Sequence, residues 1–328
     1  MSRLAEAGQN FWQVLSIGPT GFGDSPYQSL SSFAGNPLLI SLSDLAKRGW
    51  LTDAELQDCP HFPSVTVDFG SVAQWRNAML TLAYKRFIAD NGLDNPNFRK
   101  FEQNNSDWLY DFALYKVLKE AYGQGPWFDW PKAFAFRNEE QLKKFRNRRQ
   151  VDLYEQVFRR WQFAEQWRQV KTLANAFGIY LIGDVPIYVA HDSCDVWVHH
   201  QAGLFDLDEN GKLLSVAGAP ADYYSSTGQR WGNPLYWWDR HRETGYRWWK
   251  QRLSTSLRLF DLVRIDHFRG LYNYWKIPGD EPIASKGQWH VGPRDDFLKA
   301  LGRQITSRLI AEDLGDEMTP VRKWKNKW

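Results

Sequence analysis

Four short apolar runs separated by long helical stretches constrain this chain more than any other feature. They are FWQVL (11–15), YLIGDV (180–185), LVRIDHF (262–268) and LIAEDL (309–314). Strands alternating with helices give the βαβ rhythm of a parallel sheet. Polar side chains at the C-terminal ends of such strands are the mark of a (β/α)8 barrel mouth. The expected fold is therefore α/β, of the (β/α)8 TIM-barrel type.

Local signals place the other elements. Gly8 reads as the stop of a helix that precedes the first strand, and Gly18, Pro19, Gly21, Gly23 and Pro26 make the next stretch a loop. Residues 71–177 read as helical: Leu114, Val117, Leu118 and Ala121 keep helical spacing up to Gly123, and Val157, Trp161 and Ala164 mark a later helix closed by Gly178. The β-rich run 179–189 is expected to break at Gly183 and Pro186. Residues 190–240 read as a loop-rich insertion, and helices are expected over 242–259 and 294–306. This gives three segments: 1–70 with a strand and a substrate loop, a helical insertion at 71–178, and 179–328 with the remaining strands.

Composition narrows the function classes. The formal net charge of +3 over 328 residues is too small to argue for nucleic acid. No apolar run has membrane-span length and the N-terminus lacks a signal-peptide layout, so no membrane partner is expected. Cys59 and Cys194 alone build no disulfide framework, and metal-ligand spacings are absent, which favours the cytoplasm with neither metal nor organic cofactor. Eighteen tryptophans are far above ordinary usage. They fit either a Trp-rich core or a surface for the flat faces of sugars.

The densest chemistry lies in DLVRIDHFRG (261–270). Leu262, Val263 and Ile265 are strand-like and buried in character, yet Arg264, Asp266, His267 and Arg269 run through or past them. Burying such groups is costly unless they are paired. Alternation puts Arg264 and Asp266 on one face. The guanidinium is expected to lower the Asp266 pKa and keep an ionised nucleophile ready; a purely structural Arg–Asp pair fits equally well. Glu312, at the end of the last apolar run, reads either as an acid/base of raised pKa or as an acidic cap of a following helix. Two carboxylates about 5 Å apart suit glycoside chemistry with retention.

Together these blocks resemble the 4-α-glucanotransferases, also called amylomaltases or disproportionating enzymes, of glycoside hydrolase family 77 in the α-amylase clan. The resemblance runs through FWQVLSIGPTGFGDSPYQSLSSFAGNPLLISL, GDVPIYVAHDSCDVW, APADYYSSTGQRWGNPLY, VRIDHFRG and AEDLG, in the family's order. It implies Asp266 as nucleophile and Glu312 as acid/base, with Arg264 and His267 flanking the nucleophile. It also implies that Asp184 hydrogen-bonds the reacting sugar, that Ser25 and Tyr27 contact that sugar, and that Gln229 and Trp231 lie in a flexible loop over the acceptor side. Without the resemblance, Asp184 reads more readily as a strand-end turn former, and Tyr27 and Trp231 fit core aromatics equally well.

The implied partners are maltooligosaccharides, amylose or glycogen-type glucans. The rival activities are a hydrolase or debranching enzyme of the same clan, or a non-catalytic glucan-binding fragment. The family pattern has an earlier first strand and three later ones, one bearing a third carboxylate in a His-Asp motif that this sequence lacks. Only strands two to five of the barrel are therefore expected, in a truncated chain of little turnover and of poor solubility unless it dimerises.

Overall fold

The computed structural model describes residues 1–223, 225–315 and 318–328. The chain divides into two compact units, one of residues 1–33, 126–136 and 170–328 and the other of residues 34–125 and 137–169.

The first unit carries every strand: β1 (Phe11–Gln13), β2 (Tyr180–Pro186), β3 (Ser215–Ala219), β4 (Gln229–Pro234), β5 (Leu262–Asp266), β6 (Asn273–Pro278), β7 (Gln288–Val291) and β8 (Leu309–Ala311). The four apolar runs form one parallel sheet in the order β1-β2-β5-β8. This is the β/α arrangement read from the sequence. Among the described residues the sheet is open, with β1 and β8 at its edges. Register sets the site: Asp184 pairs with Arg264, and Arg264 with Ile310. Alternation buries Val263 and Ile265 completely on one face of β5 and leaves Arg264 and Asp266 on the other. Each of those apolar side chains contributes roughly 1.5–3 kcal/mol by leaving water.

β2 runs through Gly183 without the expected break. A Cβ there would lie 2.1 Å from the Phe260 ring, so glycine serves close packing of the strand against the end of the helix Arg247–Leu259. That helix lays Trp248, Trp249, Leu253 and Leu257 into the core. Its Arg252 reaches the end of β2 and donates to the carbonyls of Pro186 at 2.6 Å and Ile187 at 3.0 Å. The helix expected over 242–259 is divided by Gly245 and Tyr246, both at positive φ, and the one expected over 294–306 is divided at Gly302.

The insertion expected to be loop-rich holds regular structure. β4-β3-β6-β7 make a second, antiparallel sheet. The short strands escaped the sequence reading because Ser215–Ala219 lacks large β-formers and Gln229–Pro234 ends in a turn-like Gly-Asn-Pro. A helix at Thr319–Lys325, beyond the elements expected from the sequence, stacks Trp324 on Phe268 with ring centres 5.4 Å apart.

The second unit is helical, and its longer helices include Phe69–Ala89, Pro96–Asn104 and Leu109–Ala121. Its core is aromatic: Trp50, Phe87, Phe98 and Phe158 pack at ring-centre distances of 4.9–5.6 Å. Helix ends follow local chemistry, with Asp68 and Asn95 accepting from backbone N–H groups and Thr52 forming a capping box with Glu55. No helix among the described residues is long and apolar enough to cross a membrane.

Gly183→Ala is expected to lower stability by about 1–3 kcal/mol through overpacking against Phe260. Denaturant unfolding of the variant beside the parent checks this.

Candidate active site

One guanidinium organises the mouth of the parallel sheet. Arg264 bonds the Asp184 carboxylate through Nη1, pairs with Asp266 Oδ1 at 2.8 Å and donates from Nη2 to Glu312 Oε1 at 2.6 Å. The two carboxylates singled out in the sequence thus converge on one cation. The backbone is the reason. Arg264 and Asp266 share a face of β5, and Glu312 follows β8, whose Ala311 pairs with Ile265.

The other contacts fix the cluster further. Tyr27 Oη donates to Asp184 Oδ2 at 2.8 Å, and Ser16 Oγ donates to the Asp184 carbonyl at 2.7 Å. The Ser25 hydroxyl accepts from the Tyr27 N–H at 3.2 Å. His267 sits at φ 50°, ψ 45°, a left-handed conformation costing a non-glycine residue about 1–2 kcal/mol. In that pose its N–H donates to Glu312 Oε2 at 2.5 Å. Both oxygens of Glu312 are therefore engaged as acceptors.

A cavity of about 730 Å³ opens above this cluster. Tyr27, Gln229, Trp231, Asp266, His267 and Glu312 line it; Ser25, Asp184 and Arg264 are not among its walls. The Asp184 side chain is only 1% exposed, so it buttresses the site from beneath. Gln229 and Trp231 stand on strand β4, where the sequence suggested a loop, and Trp231 Nε1 donates to Gln229 Oε1 at 3.0 Å. The Trp231 ring meets His267 edge to face, with centres 4.8 Å apart. The tryptophans divide between two settings: Trp127, Trp161, Trp197 and Trp249 are fully buried, while Trp231 and Trp289 face the cavity.

The electrostatics depart from expectation at one point. Burial, and then the neighbouring Glu312 charge, raise the Asp266 pKa above its ordinary value against the pull of Arg264. The expected lowering fails because burial of the carboxyl comes first and the Glu312 charge adds to it, while the one positive charge of Arg264 is divided among three carboxylates. Arg264 itself is raised: burial opposes its charge, but Asp184, Asp266 and Glu312 outweigh burial. Tyr27 is pushed up to about 12 by burial and by its bond to Asp184. His267 is pushed down to about 4 by burial and then by Arg269, so its ring is neutral near pH 7.

Sequence reasoning missed several walls of the cavity, among them Tyr188, Asn233, Arg269 and Trp289. Arg269 lay within the block that was singled out. Trp289, between the polar Gln288 and His290, carried the signal of an aromatic on a solvent-facing strand.

Known proteins share the sequence and fold of this chain. The sequence model of the glycoside hydrolase family described as 4-alpha-glucanotransferase matches residues 1–328. A 4-alpha-glucanotransferase of Thermus thermophilus is 44% identical over 95% of this chain, and one of Synechocystis is 42% identical over 95%. The chain spans 62% of the length of each. The structure of an amylomaltase from Streptococcus agalactiae in complex with acarbose superposes with a TM-score of 0.92 at 35% identity, over 99% of this chain and 66% of the amylomaltase.

Arg264→Met would leave three carboxylates without their shared cation. It is expected to cost about 3–5 kcal/mol near neutral pH. Burial and the Glu312 charge already raise the Asp266 carboxyl, and loss of the cation removes the one opposing pull, so the deficit shrinks as pH falls and Asp266 protonates. Thermal unfolding of variant and parent between pH 4 and 8 measures that gap.

Proposed function

This chain belongs to the 4-alpha-glucanotransferase family, and we propose that it moves α-1,4-glucan segments onto the 4-hydroxyl of glucose or another maltooligosaccharide. The observation that carries the reading is the convergence of Asp266 and Glu312 on Arg264 at the floor of a sugar-sized cavity. Substrates are maltooligosaccharides, amylose or glycogen-type glucans. Two cysteines, one exposed and one buried and neither bridged, suit a reducing cytoplasm.

The chemistry is a double displacement. Asp266 Oδ attacks the anomeric carbon, the C1–O4 bond breaks, and Glu312 passes a proton to the departing O4. The product of this step is a β-linked glucosyl ester on Asp266. The 4-hydroxyl of a second glucan then attacks C1, Glu312 takes its proton and the ester bond breaks, so the α configuration is retained. At rest each Glu312 oxygen accepts one hydrogen bond, from Arg264 and from the His267 backbone N–H, and keeps a second lone pair that can carry the transferred proton. Arg264 remains with Asp266 and steadies the leaving carboxylate of the second step. The neutral His267 ring and the Trp231 face hold sugar and displace water, which favours transfer over hydrolysis.

Incubation with maltotriose tests the reading. Expected products are glucose and a ladder of longer oligosaccharides. Glu312→Gln is expected to lower the rate by about 10²–10⁴-fold, and Asp266→Asn by at least as much. Since the native environment disfavours charge at position 266, Asp266→Asn should unfold no earlier than the parent at pH 7, which separates lost chemistry from lost fold. New reducing ends without a ladder would instead mark a hydrolase, and binding without turnover a glucan-binding protein.

A further inference from the structure

The cavity continues past Glu312 along a wall to which no role has been given. Arg269, Trp289, Leu314 and Gly315 line it there. A Cβ on Gly315 would lie 3.6 Å from Arg269 Nη1, so Arg269 sits against the segment that follows Glu312. Its guanidinium carbon stands 4.2 Å from the centre of the Trp289 ring. Arg269 Nε donates to Asn273 Oδ1 at 3.1 Å, which ties the guanidinium to the start of β6.

Trp289 is held from a second direction. It pairs across the β6–β7 ladder with Trp275, ring centres 5.2 Å apart and planes at 70°. Trp275 is itself buried and anchored by an Nε1–H bond to the Ala284 carbonyl at 2.7 Å. Trp289 thus has a set orientation yet remains 41% exposed, on a strand whose four residues are all exposed. A cross-strand pair alone explains the Trp275 contact. It does not explain an indole braced by a guanidinium and turned to a polysaccharide-sized cavity.

We propose that Trp289, braced by Arg269 and Trp275, is a sugar-stacking residue on the acceptor side that sets the preference for longer glucans. The inference rests on the transferase reading and deepens it. In that reading Glu312 stands beside the oxygen between donor and acceptor, so walls next to Glu312 face the acceptor. An indole offers a pyranose ring a flat apolar face, and a preset orientation lowers the ordering cost of binding. Arg269 keeps the ring in place and adds donors at the rim for sugar hydroxyls.

Titration calorimetry tests this with maltotriose and maltoheptaose as probes, on the full chain carrying Asp266→Asn as the parent so that the probes are not interconverted. Trp289→Ala is expected to weaken maltoheptaose by about tenfold, the scale of one aromatic contact, and maltotriose much less. Trp289→Phe should recover most of the loss, since it restores an aromatic face. Maltoheptaose affinity equal to the parent's in Trp289→Ala, or equal loss for both sugars with no recovery by phenylalanine, overturns the proposal, as does a parent chain that binds neither sugar. Length-dependent loss, together with no transfer from maltotriose by the chain with Asp266 intact, would support the stacking site while ending the transferase reading.

Discussion

The site depends on one cation placed among three anions. Arg264 reaches Asp184, Asp266 and Glu312, and each anion comes from a different part of the parallel sheet. Only a strand register that sets Asp184 beside Arg264 and carries Glu312 one step beyond Ala311 allows this. One positive charge faces three carboxylates, and the Asp266 pKa is raised first by burial and then by the Glu312 charge. Such a cluster suits a site awaiting a ligand better than it suits a structural ion pair. A structural pair would match its charges, and Arg137 with Asp111 in the helical unit does so.

The parallel sheet was legible because its signal is local and strong. Apolar runs, intervening helical periodicity and polar strand ends each point to the same architecture. The convergence of Asp266 and Glu312 was legible for the same reason, since alternation and strand order suffice to place both. The second sheet was not. Ser215–Ala219 is made of small residues, and its pairing with β4 and β6 is set by tertiary contacts that no short window contains. Gly183 was misread because glycine inside a strand signals either a break or a close approach, and only the Phe260 ring decides between them. The direction of the Asp266 shift was misread because the Arg264–Asp266 pair was visible in the sequence and the depth to which the carboxyl is buried was not.

The antiparallel sheet places the aromatic walls. β4 carries Gln229 and Trp231, while β7 carries Trp289. Asp266 and Glu312 sit on or directly after the parallel sheet, so the carboxylates and the aromatic walls lie on different scaffolds within one unit. Rigid pairing on both keeps the two in a fixed relation. The Trp324–Phe268 stack and the ion pairs from Asp313 to Arg322 and Lys325 tie the segments following Asp266 and Glu312 to the same short helix.

The end of β2 carries one more consequence. Its carbonyls are met by side chains: Pro186 and Ile187 by Arg252, Ile187 also by the Tyr236 hydroxyl, and Val189 by the Asn233 amide. Main-chain acceptors at such a position ordinarily recruit a hydration layer. Here the protein supplies the donors itself. Along this stretch the backbone is thus sealed by the protein's own donors, and what Pro186 and Ile187 present to the cavity is contour instead of thirsty carbonyls.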